Sequence, residues 1–371
     1  MKIYFFISPR KSIFEGKIRP LINWAKWLSE KSYGDFKICL ILFKCEENLV
    51  SFLRNTTEIE IRTFDRLKDV VSYLKNAKCS ILISDDSLDE LKAVTKIKEK
   101  LKLRTGIYVQ ILYGVHAISD IFDLEYLTLS EKILFSLAKL IPFKLLKKTY
   151  TKMLSKNDVV IANSNTTANL LHVLYGIEPN GIVYPPVDKK TFQPRDLEKK
   201  NYVLLYLGSH AGDTDLKFII SVYKTLAKKG VEILSLGNDA LNNILISKGL
   251  RLKKLSGISD QELAEVYSRC RLVICPQKWE TFGYVEAEAT SCGTPVLTFN
   301  CMGMREIVND GKNGFLANNK REFIKILNHL LDNVDSLSRL QVQNKAPFRI
   351  EESTKALIRI LLEKQVLKYE I

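Results

Sequence analysis

None of the seven cysteines (Cys39, Cys45, Cys79, Cys270, Cys275, Cys292, Cys301) stands in a C-x-x-C pair, which removes the usual sequence sign of a zinc cradle or a thiol-exchange centre. Their odd number and scattered spacing read as reduced, mostly buried thiols of a cytoplasmic protein. No apolar run reaches the roughly 18–20 residues that a bilayer-spanning helix needs. The longest stretch without formal charge, Thr105 to Ser119, contains Gln110 and His116. "MKIYFFISPRK" lacks the long apolar core and small-residue cleavage site of a secretory leader, so it reads as a first strand. Glycine and proline are sparse, 17 and 10 in 371 residues, which excludes a linker-rich or collagen-like chain. Sequence repeats and low-complexity segments are also lacking.

What the chain has is positive charge. The formal net charge of +14 implies an anionic partner: nucleic acid, an anionic lipid surface or a phosphorylated substrate. Between Lys132 and Lys156 there are seven lysines and no acid. After Pro142, the residues Phe143, Leu146, Tyr150, Met153 and Leu154 fall on one helical face and Lys147, Lys148 and Lys152 lie elsewhere. That pattern suits an interfacial helix on an anionic membrane, and equally a helix packed on its own domain with snorkelling lysines. The lysines have no interleaved arginine and no recognised nucleic-acid motif, so no nucleic-acid partner is expected.

Short β-branched runs alternate with amphipathic stretches: "KIYFFIS", "RPLINWAKWLSEK", "FKICLILF", "CSILISD", "LDELKAVTKIKEKLK", "TGIYVQILYG", "NDVVIANS". This is the signature of βαβ units around a buried parallel sheet. "NGIVYPPVDKKTFQPRDLEKKN" interrupts it with turn formers, charges and three prolines, and the alternation then restarts. The fold class expected is therefore α/β with two doubly wound, Rossmann-like domains, residues 1–190 and 191–351, and a terminal helix 352–371 that can pack back on the first. Ligands of such sheets bind outside the carboxyl ends of the strands, so the site is expected in a cleft between the domains.

"PQKWETFGYVEAEATSCGTPVLTFN" carries the chemistry. Glu280 falls on a loop after the strand "RLVICPQ", and Glu288 about one turn into a helix that starts near Gly283 or Tyr284. The amides of that helix start carry partial positive charge and suit phosphate oxygens, and Gly283 lets the backbone approach closely. Carboxylates accept both hydroxyls of a vicinal diol, so the pair fits a nucleotide sugar. Spacing alone also fits two solvated side chains.

The wider segment resembles the retaining GT-B glycosyltransferases of family 4 type, with their E-x7-E motif. The matching residues are Pro276, Glu280, Phe282, Gly283, Glu288 and Ala289, then Gly293, Pro295 and Val296, then "REIVNDGKNGFL" at 305–316. "NDVVIANSNTTANLL" and "YGIEPNGIVYPPVDKKTFQP" resemble the family's interdomain segment, so the likeness covers most of residues 157–320. The resemblance implies a GT-B fold, a nucleotide-sugar donor and no obligatory cofactor or metal. It assigns Glu288 to the ribose hydroxyls, Glu280 to the donor sugar, and the amides of Phe282, Gly283 and Tyr284 to the phosphates. Gly208 and Gly16 match glycines near those phosphates. His116 falls close to the family's cleft histidine near the sugar, a place Tyr113 could also take. Glu286 lies outside the motif and reads as structural.

The pattern breaks at "GSHAGDTDLK", where Ser209 and Thr214 stand in the places of the family's phosphate-neutralising Arg and Lys. Lys278 and Lys217 are the cations expected to substitute, with Arg10, Lys17 and Arg305 as alternates. Asp213 and Asp215 form a D-x-D that could hold a divalent metal, though such a pair is more often a loop or helix cap. The reading is a hexosyltransferase acting on a glycan or lipid-linked acceptor in the cytoplasm, with peripheral membrane contact as an option. The rivals are a non-catalytic nucleotide-sugar-binding subunit and a GT-B nucleotide-sugar epimerase.

Overall fold

The computed structural model describes residues 2–8, 16–31, 36–77, 80–113, 133, 136, 142–208, 215–333 and 348–367. His116, Arg10, Lys132, Cys79 and the segment 209–214, with Ser209, Asp213 and Thr214, lie outside them. The chain forms two compact units, one of residues 1–114, 143–186 and 347–371, the other containing 187–346. Both are α/β.

Unit 1 runs β1 (Lys2–Ile7), α1 (Arg19–Lys31), β2 (Lys37–Phe43), α2 (Glu47–Thr56), β3 (Glu60–Phe64), α3 (Leu67–Leu74), β4 (Ser80–Asp85), α4 (Leu88–Leu101), β5 (Arg104–Val109), α5 (Phe143–Leu154), β6 (Val159–Ala162), α6 (Asn165–Leu170) and β7 (Gly181–Ile182). Its sheet is parallel, in the order β3-β2-β1-β4-β5-β6-β7. The central strands are near-continuous apolar runs because helices cover both faces, and β4 is buried at every residue. Edge strand β3, "EIRTF", has no buried residue. Ser164 caps α6 by accepting the Thr167 amide, and one π-turn later the left-handed Gly176 stops the helical run.

In unit 2 the order is β8 (Tyr202–Tyr206), α7 (Leu216–Lys228), β9 (Glu232–Leu236), α8 (Asp239–Ser247), β10 (Lys253–Lys254), α9 (Asp260–Arg269), β11 (Val273–Cys275), α10 (Tyr284–Ser291), β12 (Val296–Phe299), α11 (Met304–Ile307), β13 (Gly314–Ala317) and α12 (Lys320–Asp332). Here the parallel order is β10-β9-β8-β11-β12-β13. Phe218, Phe299 and Phe323 pack ring on ring in its core.

The last helix, α13 (Ile350–Glu363), returns to unit 1 and packs on α1. Trp24, fully buried, donates its Nε1–H to Ser353 Oγ at 2.9 Å, and that hydroxyl donates to the Tyr184 carbonyl at 2.6 Å. Ile360 lies against Gly181, where any Cβ would collide with it.

The apolar face of α5 is used inside unit 1. Tyr150 and Leu154 are buried, and the Phe143 ring meets Tyr175 edge-on at 5.8 Å. What α5 shows to solvent is Lys144, Leu145, Lys148, Thr149 and Lys152. No helix among the described residues is long and apolar enough to cross a membrane.

Candidate functional site

In a doubly wound sheet, the crevice forms where the strand order reverses. For unit 2 that point lies between β8 and β11, and the residues leaving their carboxyl ends are Gly208 and the loop from Pro276 to Gly283. Gly208 has φ +78, and its carbonyl accepts the Asn238 amide at 2.8 Å. Buried Gln277 donates from Nε2 to the Tyr206 carbonyl at 2.7 Å, which ties the β11 loop to β8. Gly303 supports the same loop from below. Its amide donates to the Glu280 carbonyl at 3.0 Å, and a Cβ on it would strike Thr281 and Phe282 backbone. Gln277 and Gly303 were not among the residues selected from sequence; a polar residue two positions after a buried strand was the available signal for the first.

α10 begins at Tyr284. Its N-cap is Gly283, left-handed at φ +104, and no side chain caps it. By contrast α7, α8, α9 and α12 are each capped by a side chain, from Asp215, Asn238, Ser259 and Asn319. The first intrahelical bond runs from the Ala287 amide to the Gly283 carbonyl at 3.1 Å. The amides of the first turn precede that bond, the position at which a helix start can bind anions.

Glu280 is half-buried on the loop, and Glu288 is buried, 1% exposed, on the second turn of α10. Buried Tyr267, on α9, donates its hydroxyl to Glu288 Oε2 at 3.2 Å. Phe282 is buried and meets the Tyr284 ring edge-on at 5.4 Å, so its contribution to the mouth is backbone. Lys278 is exposed, with Nζ 5.8 Å from the centre of the Phe299 ring. Lys217 is exposed on the first turn of α7.

Glu286 is the unexpected member. It is fully buried in the first turn of α10, with Oε1 3.5 Å from the Thr298 hydroxyl. Burial drives its carboxyl up to about 7, against smaller opposing effects from its own amide, the Cys275 thiol and Thr298. Cys275, buried beside it, is held well above the usual thiol range, chiefly by burial and then by the Glu286 charge.

Asp215 accepts the Phe218 amide at 2.8 Å and pairs with Lys320, so the acid of the D-x-D that the structure describes already has a cap and a cation. Among the described residues no group of three metal-ligating side chains occurs.

Unit 1 has its own reversal between β1 and β4. Gly16 sits in the exposed turn before α1, and the Lys17 carbonyl accepts Gln110 Nε2 at 2.9 Å. Two buried acids that sequence reasoning passed over organise this end. Glu90 accepts the Ser8 amide at 2.8 Å and the Ser84 hydroxyl at 2.9 Å. Asp86 accepts the amides of Gln110, Ile111 and Leu112 at 2.8 to 3.0 Å and the Tyr150 hydroxyl at 2.7 Å. Burial and the neighbouring Asp85 raise the Asp86 carboxyl despite these donors.

Residues 187–346 match the family Glycosyl transferases group 1. The chain is 27% identical over 199 residues to D-inositol 3-phosphate glycosyltransferase of Rhodococcus erythropolis, covering 46% of this chain and 44% of that protein. It is 28% identical over 237 residues to the Mycobacterium tuberculosis enzyme of that name, covering 56% and 49%. The chain thus spans about half the length of the curated relatives it matches. Among solved structures, Anabaena Alr3699/HepE in complex with UDP and glucose superposes with a TM-score of 0.72 at 17% identity, over 98% of this chain and 100% of that one. Sucrose-phosphate synthase from Thermosynechococcus elongatus gives 0.72 at 14%, over 98% of each chain. The fold is GT-B.

Proposed function

We propose that this chain is a glycosyltransferase that moves a hexose from a nucleotide-diphosphate sugar to a hydroxyl of a glycan or lipid-linked acceptor, with retention of configuration. The observation that supports it best is that Glu280 on the loop entering α10, Gly283 at its N-cap and Glu288 on its second turn all fall inside the segment that matches the group 1 family. In this reading Glu288 receives the ribose hydroxyls and Tyr267 fixes its orientation. The amides from Phe282 to Tyr284 take the phosphates, and Glu280 positions the sugar.

The chemistry asks for no protein nucleophile. Donor and acceptor hydroxyl are held on one face, the leaving phosphate takes the proton, and the protein supplies orientation and charge. With Ser209 and Thr214 in place of cations, Lys278 and Lys217 are assigned to the departing diphosphate, and His116 to the sugar. No metal is assigned. The lysine face of α5 offers contact to an anionic membrane carrying the acceptor.

A thermal-shift panel of nucleotide diphosphates and their sugars, with and without magnesium, tests the donor. Uridine nucleotides come first because the solved neighbour carries UDP and glucose. A selected nucleotide sugar should stabilise the native chain and leave Glu288→Ala unmoved; no stabilisation by any member would refute the proposal. A second reading, a nucleotide-sugar-binding subunit without turnover, is favoured by Ser209 and Thr214. Calorimetric titration beside a donor-hydrolysis assay separates the two, since the subunit binds and never turns over.

A further inference from the structure

A carboxylate directly beneath an anion-binding helix mouth is an electrostatic contradiction, because it competes with the phosphate for the same partial positive charge. Glu286 occupies that place. Its Oε2 lies 2.8 Å from where a Cβ on Gly283 would sit, so it lies directly against the N-cap backbone. That oxygen is buried and makes no hydrogen bond among the described residues. Its carboxyl also interacts with its own backbone amide, one of the donors the mouth would offer.

Resting on the nucleotide-sugar reading above, we propose that Glu286 is a positioning residue that must carry a proton for a diphosphate to seat on the first turn of α10, so that donor binding takes up a proton. A protonated carboxyl removes the competing charge, leaves the amides to the phosphate, and gains an O–H that an acceptor entering the mouth can satisfy.

The surroundings make protonation accessible near neutral pH. From β11 the carboxyl faces Cys275, whose thiol stays protonated, and from β12 it faces the Thr298 hydroxyl. On its own helix Glu288 adds a like charge, and Glu288 in turn faces Tyr267 on α9. Cys301, after β12, also feels the Glu286 charge, while Lys278 and Arg305 act on that thiol in the opposite sense. On α11, Ile307 lies 3.3 Å from the same built Cβ on Gly283. Glu280 acts on Cys275 in the same sense as Glu286. Among the described residues, the largest influences on Glu286 include no cation. With burial holding the group at about 7, a site that accepts only the protonated form would lose roughly thirtyfold in affinity between pH 6 and 8.5.

The test is calorimetric titration of the full chain at pH 6 and 8.5, in two buffers of different ionisation enthalpy. The probes are UDP-glucose, GDP-mannose and ADP-glucose, whose phosphates do not titrate in this range. For the sugar that binds, the expected result is at least a threefold loss of affinity at the higher pH with net proton uptake. Glu286→Gln should bind at both pH values about as tightly as the native chain does at pH 6, without proton uptake. Glu286→Met checks the loss of pH dependence if the glutamine variant fails to fold. Infrared difference spectra of the native protein should show a carboxylic acid C=O band gained on binding at pH 8.5, absent from the variants. A change under threefold, or a pH dependence that survives in the variants, overturns the inference and leaves the donor reading intact. Failure of all three sugars to bind overturns both.

Discussion

Replacing Gly283 by alanine perturbs the backbone and the buried acid together, and the two effects can be separated. At φ +104 and ψ 73, an L-residue pays about 1–2 kcal/mol for the left-handed region. The new Cβ would sit 2.8 Å from Glu286 Oε2, 3.1 Å from its Cδ and 3.3 Å from Ile307 Cδ1. Two of these atoms belong to a side chain with no solvent to retreat into, so the overpacking should add about 1–3 kcal/mol. Alanine restricts the unfolded chain and returns about 0.4–1 kcal/mol. The net expectation is a loss of about 2–3 kcal/mol, which lowers the melting of a unit of this size by roughly 5–10 °C.

Gly311 supplies the control. Its φ is +70, and a Cβ there meets nothing within 4 Å, so Gly311→Ala should cost about 1 kcal/mol, from backbone strain alone. Differential scanning calorimetry of both variants, with hydrogen exchange of the α10 amides, measures the difference. Gly283→Ala should also abolish nucleotide-sugar binding, while Gly311→Ala retains it. Equal melting temperatures for the two variants would refute the argument that the acid is wedged against the N-cap.

Tyr267→Phe takes from Glu288 the hydroxyl held at 3.2 Å; unfolding in urea should show a loss of about 1–2 kcal/mol, and donor affinity should weaken about tenfold. Glu286 should make stability fall with rising pH: its carboxyl is raised in the fold from 4.5 to about 7, so the native state binds more protons than the unfolded chain between those values. The loss begins above 4.5 and is complete above about 7, of order 3 kcal/mol; denaturation at pH 5 and 8 should show it in the native chain and not in Glu286→Gln. Tyr150→Phe removes the 2.7 Å donor from buried Asp86 and should cost about 1–2 kcal/mol in urea unfolding, with binding of nucleotide diphosphate unchanged.

The sheets were legible because their central strands are buried on both faces and read as unbroken apolar runs, as "KIYFFI" and "KICLILF" do. β3 was not, because an edge strand alternates charge with apolar residues, and "EIRTF" looks like loop. β13 and α8 escaped because both are short: "GFLA" has too few residues for periodicity, and in α8, "DALNNILIS", the buried face includes the polar Asn242, which accepts from Ser235 Oγ at 2.5 Å. At the site, the start of α10 and the placement of Glu280 and Glu288 on loop and helix follow from the glycine and the strand before it. The role of Tyr267 does not, since nothing in the spacing of two residues 21 apart says that their side chains meet. The burial of Glu286 was not legible either, since sequence shows its charge and hides its surroundings. The apolar face of α5 was legible as amphipathic, but periodicity cannot say whether the partner of such a face is lipid or the rest of unit 1; Tyr150, bonded to Asp86, decides for protein.

The same comparison explains why the two units, built on one pattern, offer different chemistry at their reversal points. In unit 1 the amides leaving β1 and β5 are already bonded: Ser8 to Glu90, and Gln110, Ile111 and Leu112 to Asp86. A phosphate brought there would meet two buried carboxyl groups and no open amide among these four. In unit 2 the helix after β11 starts on a glycine without a side-chain cap, and the acid in its first turn has a raised carboxyl that a proton can neutralise. Among the described residues the start of α10 is thus the seat we propose for a diphosphate, with the proton on Glu286 governing its use. An anomalous-scattering nucleotide analogue soaked into crystals at pH 6 and 8.5 should occupy α10 at the lower pH and fade at the higher; density at the ends of β1 and β5 instead would reverse the assignment.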